Sequence, residues 1–321
     1  MISYYRCYSL LFLIIFTIFG VFKPINLLPD MGTYQDYFNN VKTGVNVLVE
    51  YSFILVSKLV LSFSDSFRWV IFLYVFISLY VKFNCFIMFK KKNAIFLMYI
   101  SSLLILHEFI QIRIALAISL LFLSSILYVK GYSWRAFFLF LFSILIHTSS
   151  IVFVFIFYVS IILEARRRFV FILIPFVFVF SNFFLDILSF SNFILPDYIY
   201  DKLILYINVS QHMNQSMNIF SVRMMVLYIL MVLILYKLIY LSKLDFVYFF
   251  CVSLLVILSI GFKSIPDIAF RLVDIAIFFS IFLIQSTYKY YQKSVFYFSV
   301  SLFIISSIYY NYRLLAYTNL Y

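Results

Sequence analysis

The sequence predicts an all-α fold, a polytopic transmembrane helical bundle of about eleven crossings (roughly ten to twelve) with short re-entrant or interfacial helices. Three observations carry that prediction. First, 66% of the 321 residues are apolar and only 11% are charged, a balance that no water-exposed surface around one soluble core can accommodate. Second, the apolar runs are long and uniform rather than alternating with a period of two, which excludes an outer-membrane barrel. Third, the basic residues fall in short clusters between those runs: Lys90-Lys91-Lys92, Lys130 with Arg135, Arg166-Arg167-Arg168, Lys237 with Lys243, and Lys289 with Lys293. The positive-inside rule places such clusters in the cytoplasm. The same distribution excludes nucleic acid as the partner behind the net charge of +12, because no basic stripe runs along one element.

Taken in order, residues 8–22 form a first helix that is retained, since no clean small-x-small cleavage site follows it. Residues 23–46 form an outer loop in which Pro24, Pro29, Gly32 and Gly44 are the residues of ordered turns. From Val47 to Phe63, Glu50, Ser57 and Lys58 share one helix face. A crossing here would put Lys90–Lys92 outside, so a helix lying along the outer interface or dipping into it is expected. Crossings follow near 67–89, 94–110 and 114–129.

The stretch from Trp134 to Leu163 is bounded on both sides by basic clusters that should be cytoplasmic, so the number of crossings within it must be even. Its length supplies two arms of roughly 20 Å only if the chain turns near its middle, which implies local thinning or a hairpin that stops inside the protein. That argument predicts a helix break at His147-Thr148-Ser149-Ser150, at the outer apex. Segments near 169–188, 222–241, 246–262, 272–288 and 294–310 complete a single membrane domain over 1–321, with outer loops at 189–222 and 263–271. With no large soluble domain and no internal repeat, a site must be built from helix ends and these loops.

Ionisable groups are costly in lipid-facing segments, so a cluster of them there marks a working site. Such a cluster stands at 107–113, where His107, Glu108, Gln111 and Arg113 are spaced three or four apart or fall within one further turn. Glu108 is a candidate counter-ion for Arg113. Once the cytoplasmic clusters are assigned, Arg113, Arg223 and Arg271 remain at outer helix ends, where their forks suit phosphate oxygens. The bland alternative is a snorkelling anchor or an arginine paired with a nearby acid.

His147 sits at the predicted break beside three hydroxyl residues, where the backbone needs partners and an aqueous pocket can open; otherwise it is a packing histidine. His212, in the polar loop, is expected to be solvated. Asp30-Met31-Gly32-Thr33-Tyr34 offers an acid for sugar hydroxyls or base chemistry and a ring for stacking on sugars, or else an interfacial aromatic belt with a turn aspartate. No metal-ligand spacing, glycine-rich phosphate loop or Ser-His-Asp motif appears, so no metal or cofactor is expected. Cys7, Cys85 and Cys251 are isolated and read as small apolar packing residues.

Taken together, Asp30-x-x-x-Tyr34, Gln111-x-Arg113-x-x-Leu116-Ala117, His147-x-Ser149 and a late Arg271 opening a helix resemble the EpsG family of Wzy-type polysaccharide polymerases. These are bacterial inner-membrane proteins that build O-antigen (the polymer of lipopolysaccharide), capsule or exopolysaccharide. The resemblance implies a glycosyltransferase reaction on the outer face, in which a glycan on undecaprenyl pyrophosphate is moved to a lipid-linked repeat unit. It assigns Arg113 and Arg271, with Arg223, to the pyrophosphate, and His147 to a base or hydroxyl-orienting role. Asp30 and Tyr34 then hold the acceptor sugar, with Glu108 and Gln111 as further substrate-binding residues.

The partners implied are the undecaprenyl-pyrophosphate-linked oligosaccharide, the lipid bilayer, a chain-length regulator and a flippase. Two other classes compete. A lipid-linked oligosaccharide flippase or transporter should show paired repeats, and a membrane sugar O-acyltransferase would use His147 as its base.

Overall fold

The computed structural model of the chain describes residues 2–24, 30–45, 49–181, 204, 207–208 and 216–318. Among the described residues every regular element is helical. In chain order these are α1 (Ile2–Phe22), α2 (Met31–Thr43), α3 (Tyr51–Leu61), α4 (Arg68–Phe86) and α5 (Lys92–Ser102), then a π-helical segment (Leu104–Ile110). They continue with α6 (Ile112–Val129), α7 (Ser133–Ile146), α8 (Ser150–Glu164) and α9 (Val170–Ser181). After the segment outside the description come α10 (Val222–Leu235), α11 (Lys243–Gly261), α12 (Pro266–Tyr290) and α13 (Lys293–Thr318).

Packing divides the chain into two units, Met1–Val154 with Ser307–Tyr321, and Phe155–Ser306. In the first unit α4 packs on both α1 and α6, and α6 packs along α7. Residues 112–119 of α6 are buried on every face, which is why this helix is apolar all round instead of carrying one stripe. Its buried Ser119, Ser124 and Ser125 each donate to the carbonyl three residues back, so their hydroxyls cost little inside the bundle.

In the second unit α11 and α12 form the core pair; residues 245–257 of the one and 272–287 of the other are buried throughout. Here α9 crosses α11 so closely that a Cβ on Gly261 would lie 2.7 Å from the Ser181 carbonyl oxygen. Gly261→Ala is therefore expected to push two backbones apart and to cost about 1–3 kcal/mol. A clear drop in melting temperature of the purified protein would show it, and an unchanged melt would refute it.

Among the described residues four helices are long and apolar enough to cross a membrane: Arg68–Phe86, Ile112–Val129, Lys243–Gly261 and Lys293–Arg313. A fifth span results if α5 and the π segment, bent by 61°, count as one. The chain is a membrane protein, but the expected eleven crossings are not confirmed. The difference lies in segments that are apolar yet shorter, such as Ser133–Ile146, Ser150–Glu164 and Val222–Leu235.

The break expected from charge parity is present: helix stops at Ile146 and restarts at Ser150, with His147 in an extended conformation. The segment around 47–63 forms an α3 of only 11 residues, about 16 Å long. Its Ser57 is buried whereas Lys58 is exposed, so the expected common polar face splits.

Helix occupies much of two of the expected outer loops. Residues 31–43 are not turns but α2, because Met31, Tyr34 and Phe38 fall at helical spacing and are buried together. Gly32 lies inside that helix, and Gly44 ends it in a left-handed conformation, φ 74°, with its N–H bonded to the Asn40 and Val41 carbonyls. The loop at 263–271 shrinks to a short turn, because Pro266 starts α12 with Asp267 in its first turn. Arg271 consequently sits within that helix and does not open it. The polar loop at 189–222 lies mostly outside the described residues, His212 included.

Candidate functional site

Arg113 is set by the way its helix begins. After α5 the chain bends and winds as a π-helix, the Gln111 N–H reaching the carbonyl of Leu106 five residues back at 2.8 Å. Such wider turns recur at functional sites because they re-aim side chains. Gln111 then leaves helical geometry at φ −102°, ψ 57°, and α6 opens with Ile112 and Arg113.

The guanidinium of Arg113, only 8% exposed, forms an ion pair with the carboxylate of Glu50, the residue that precedes α3. It lies 4.7 Å from the centre of the Tyr34 ring and 5.7 Å from that of Phe53. The Tyr34 and Phe53 rings are themselves 6.1 Å apart. A planar, delocalised cation suits this arrangement in a way an ammonium does not. Among the described residues Arg113 Nε and the Gln111 side-chain oxygen are buried with no hydrogen-bond partner, a donor and an acceptor two residues apart.

Tyr34 and Arg113, both expected at the site, thus meet. Asp30 stands one helical turn before Tyr34, exposed, at a left-handed φ of 64° that aspartate tolerates better than most residues.

Glu108 is not the counter-ion of Arg113. Its Oε1 is 2.7 Å from Nζ of Lys82 in α4, and both side chains are fully buried. The expectation failed because the π segment changes the angular spacing on which it relied, so Glu108 joins α4 and α5 instead of α3.

On the backbone side, Lys23 donates to the carbonyls of Glu108 and Phe109. Burial pulls the Lys23 ammonium down to about 7, with the charge of Glu108 opposing. The unfolded chain titrates near the ordinary lysine value of about 10.4. Between these values only the unfolded chain binds the proton, so the fold gains stability as pH rises through that window and loses it as pH falls toward 7. The melting temperature of wild type relative to Lys23→Met should rise over this range, and a difference that stays flat would count against it.

His147, 4% exposed, ends α7. Its Nδ1 accepts the Ser149 backbone N–H at 3.3 Å and lies 2.7 Å from the Ser149 hydroxyl. The neutral ring therefore carries its proton on Nε2. Because α6 and α7 are joined by a short turn and pack along one another, the start of α6 and the end of α7 lie at the same end of that pair.

In the second unit, Arg223 in the first turn of α10 has its Nη1 3.5 Å from Asp274 Oδ1 of α12, both side chains being buried. Arg271 lies three residues before Asp274, on the same side of α12. The three arginines thus belong to two clusters, Arg113 in one unit and Arg223 with Arg271 in the other. Among the described residues no group of three His, Cys, Asp or Glu side chains could hold a metal ion.

A family model described as the EpsG family matches residues 5–321. The chain belongs to the EpsG family. Members are Wzy-type polymerase-like, which makes this a polysaccharide polymerase-like membrane protein. No curated protein and no solved structure matches it.

Two residues of the candidate site in this EpsG-family chain escaped sequence reasoning. Glu50 was noticed only as part of a polar face, and Lys82 not at all. Lys82 is the only charged residue between Arg68 and Lys90, so the cost of a lone charge in an apolar run was the signal that could have found it.

Proposed function

We propose that this EpsG-family protein is a repeat-unit polymerase of O-antigen, capsule or exopolysaccharide, acting on the outer face of the bacterial inner membrane. It transfers a glycan from undecaprenyl pyrophosphate to a sugar hydroxyl of an incoming lipid-linked repeat unit. The bond from the anomeric carbon to the pyrophosphate oxygen breaks, a glycosidic bond to the acceptor oxygen forms, the acceptor's proton goes to a base, and undecaprenyl pyrophosphate leaves. The observation that carries the reading is the meeting of Arg113 with Tyr34, two motif residues far apart in sequence, at the buried start of α6.

In this mechanism Arg113 neutralises charge developing on the leaving pyrophosphate, while Arg271 and Arg223, in the second unit, are a separate candidate phosphate-binding pair. Tyr34 and Asp30 hold the acceptor sugar, and Gln111 adds a hydrogen-bond acceptor. Asp30 is an exposed carboxylate of the kind that takes the proton. The bond from the Ser149 N–H to Nδ1 favours the orienting role for His147 over the base role, with Nε2–H donating to a hydroxyl or phosphate oxygen. A chain-length regulator and a flippase are the chain's proposed partners.

Complementation of a strain lacking the gene tests the reading, with Arg271→Ala and His147→Ala each checked for expression. Long glycan ladders should collapse to a single repeat unit. A ladder that persists without the chain excludes polymerisation, and failure of single units to reach the outer face points to transport. His147→Ala should lower polymer output about 10²-fold. His147→Gln, which keeps a donor near Nε2, should retain a measurable fraction; if it is as inactive as alanine, the base role is restored.

A further inference from the structure

Lys82 is the most improbable residue in the molecule, a lysine with no exposed surface in the middle of an apolar helix. Its Nζ contacts Glu108 Oε1 at 2.7 Å, Ser78 Oγ at 3.0 Å and the Tyr99 hydroxyl at 3.1 Å. The same carboxylate oxygen accepts from Ser78 at 2.9 Å and from Tyr99 at 2.5 Å. One oxygen of Glu108 thus gathers three donors from α4 and α5, while Oε2 has no hydrogen-bond partner among the described residues.

The backbone at the same point is held from another direction. Lys23, just past α1, donates to the Glu108 and Phe109 carbonyls, and a Cβ on Gly20 of α1 would lie 3.6 Å from the Glu108 carbonyl oxygen. Glu108 is therefore fixed by its side chain to α4 and α5 and by its backbone to α1 and Lys23. It belongs to the π segment, where the backbone lacks the favourable repeat of an α-helix and needs outside support.

A buried ion pair is an expensive way to gain stability, since apolar residues of similar volume often serve as well or better. A role in specifying geometry accounts for it, and what stands five residues further on is Arg113.

We propose that Lys82, Tyr99 and Ser78 are positioning residues. By gripping Glu108 they pin the π-helical segment Leu104–Ile110, and through it they fix where Gln111 and Arg113 stand. The link to catalysis rests on the polymerase reading of Arg113; the pinning of the segment does not. Glu108 on this view acts through the segment it anchors and not by touching substrate.

The test uses full-length protein in detergent, with hydrogen exchange read by mass spectrometry beside steady-state polymerisation of a lipid-linked repeat unit. The variant is Lys82→Met/Glu108→Leu, which removes both charges together and so leaves none stranded. Exchange across 103–113 should rise about tenfold or more while α4 stays protected. Turnover should fall about 10²-fold with KM little changed, as expected of a displaced catalytic group.

Tyr99→Phe removes one donor to Glu108 and one acceptor of Lys82 while leaving both charges in place, and it keeps the proposal testable if the double variant does not fold. It should shift both readouts in the same direction by a smaller amount. A folded variant of either kind with wild-type exchange at 103–113 overturns the pinning. Raised exchange with undiminished turnover overturns the positioning role. If the wild-type chain makes no polymer, the polymerase reading fails, and exchange alone decides whether the network pins the segment.

Discussion

Cells carrying Arg113→Ala are expected to make no long polymer, with a loss of about 10²-fold or more, the size seen when one preorganised charge partner is removed from a reacting centre. The guanidinium occupies a site shaped for it, against the faces of Tyr34 and Phe53 and paired with Glu50. Alanine has a second effect that must be separated from the first. It strands Glu50, 3% exposed, as a buried carboxylate without its partner, at about 3–5 kcal/mol.

Protein levels should fall with that variant and recover in Arg113→Ala/Glu50→Gln, where the stranded charge is gone, while the ladder stays collapsed. Arg113→Lys keeps the charge but loses the fork and the flat stack, so it too should be strongly impaired. Immunoblots beside glycan gels read both effects. Full ladders from well-expressed Arg113→Ala would falsify the assignment.

The largest effect on stability should come from Lys82. Replacing it alone with methionine leaves Glu108, with no exposed surface, holding a charge that two hydroxyls cannot balance. The expected cost is about 3–5 kcal/mol, a large share of the few kcal/mol that separate most folded chains from unfolded ones. Glu108→Leu alone should be as damaging, because it strands the ammonium. Combining the two should recover most of the loss, since the double variant contains no unpaired charge. Melting curves in one detergent measure all three, and a Lys82→Met protein that melts like wild type would sink the argument.

The helix break at His147 was legible in the sequence because it follows from parity: two basic clusters expected on the same side, separated by too few residues for anything but a turn. Tyr34 and Arg113 were legible as members of one motif set, though not as a stacked pair. Other features were not. Periodicity tells which face a residue occupies and is silent on what faces it, so Glu50 is read only as part of a polar face and Glu108 as a costly acid, neither with its true partner. The π segment compounded this by breaking the helical spacing on which the Glu108 to Arg113 pairing relied.

Residues 31–43 were misread because a polar stretch with two glycines resembles a loop until the burial of Met31, Tyr34 and Phe38 is known. Arg271 was misplaced by one element boundary, where Pro266 begins a helix instead of ending one. Crossing number depends on helix lengths, and charge parity fixes only whether that number is odd or even.

Under the proposed polymerase role, the pairing of Arg113 with Glu50 also sets what kind of ligand this position can select. Because the guanidinium already has a resident anion, capture of a second one is an exchange and not a simple addition. A headgroup with a single negative charge offers little that Glu50 does not already supply, so the abundant phospholipids of the surrounding membrane gain no advantage there. A pyrophosphate, with more charge on adjacent oxygens, can outbid the carboxylate. Discrimination of this sort arises from what the site must give up in order to bind, and under the proposed role it would keep a buried cation available for a scarce lipid pyrophosphate among more abundant anions.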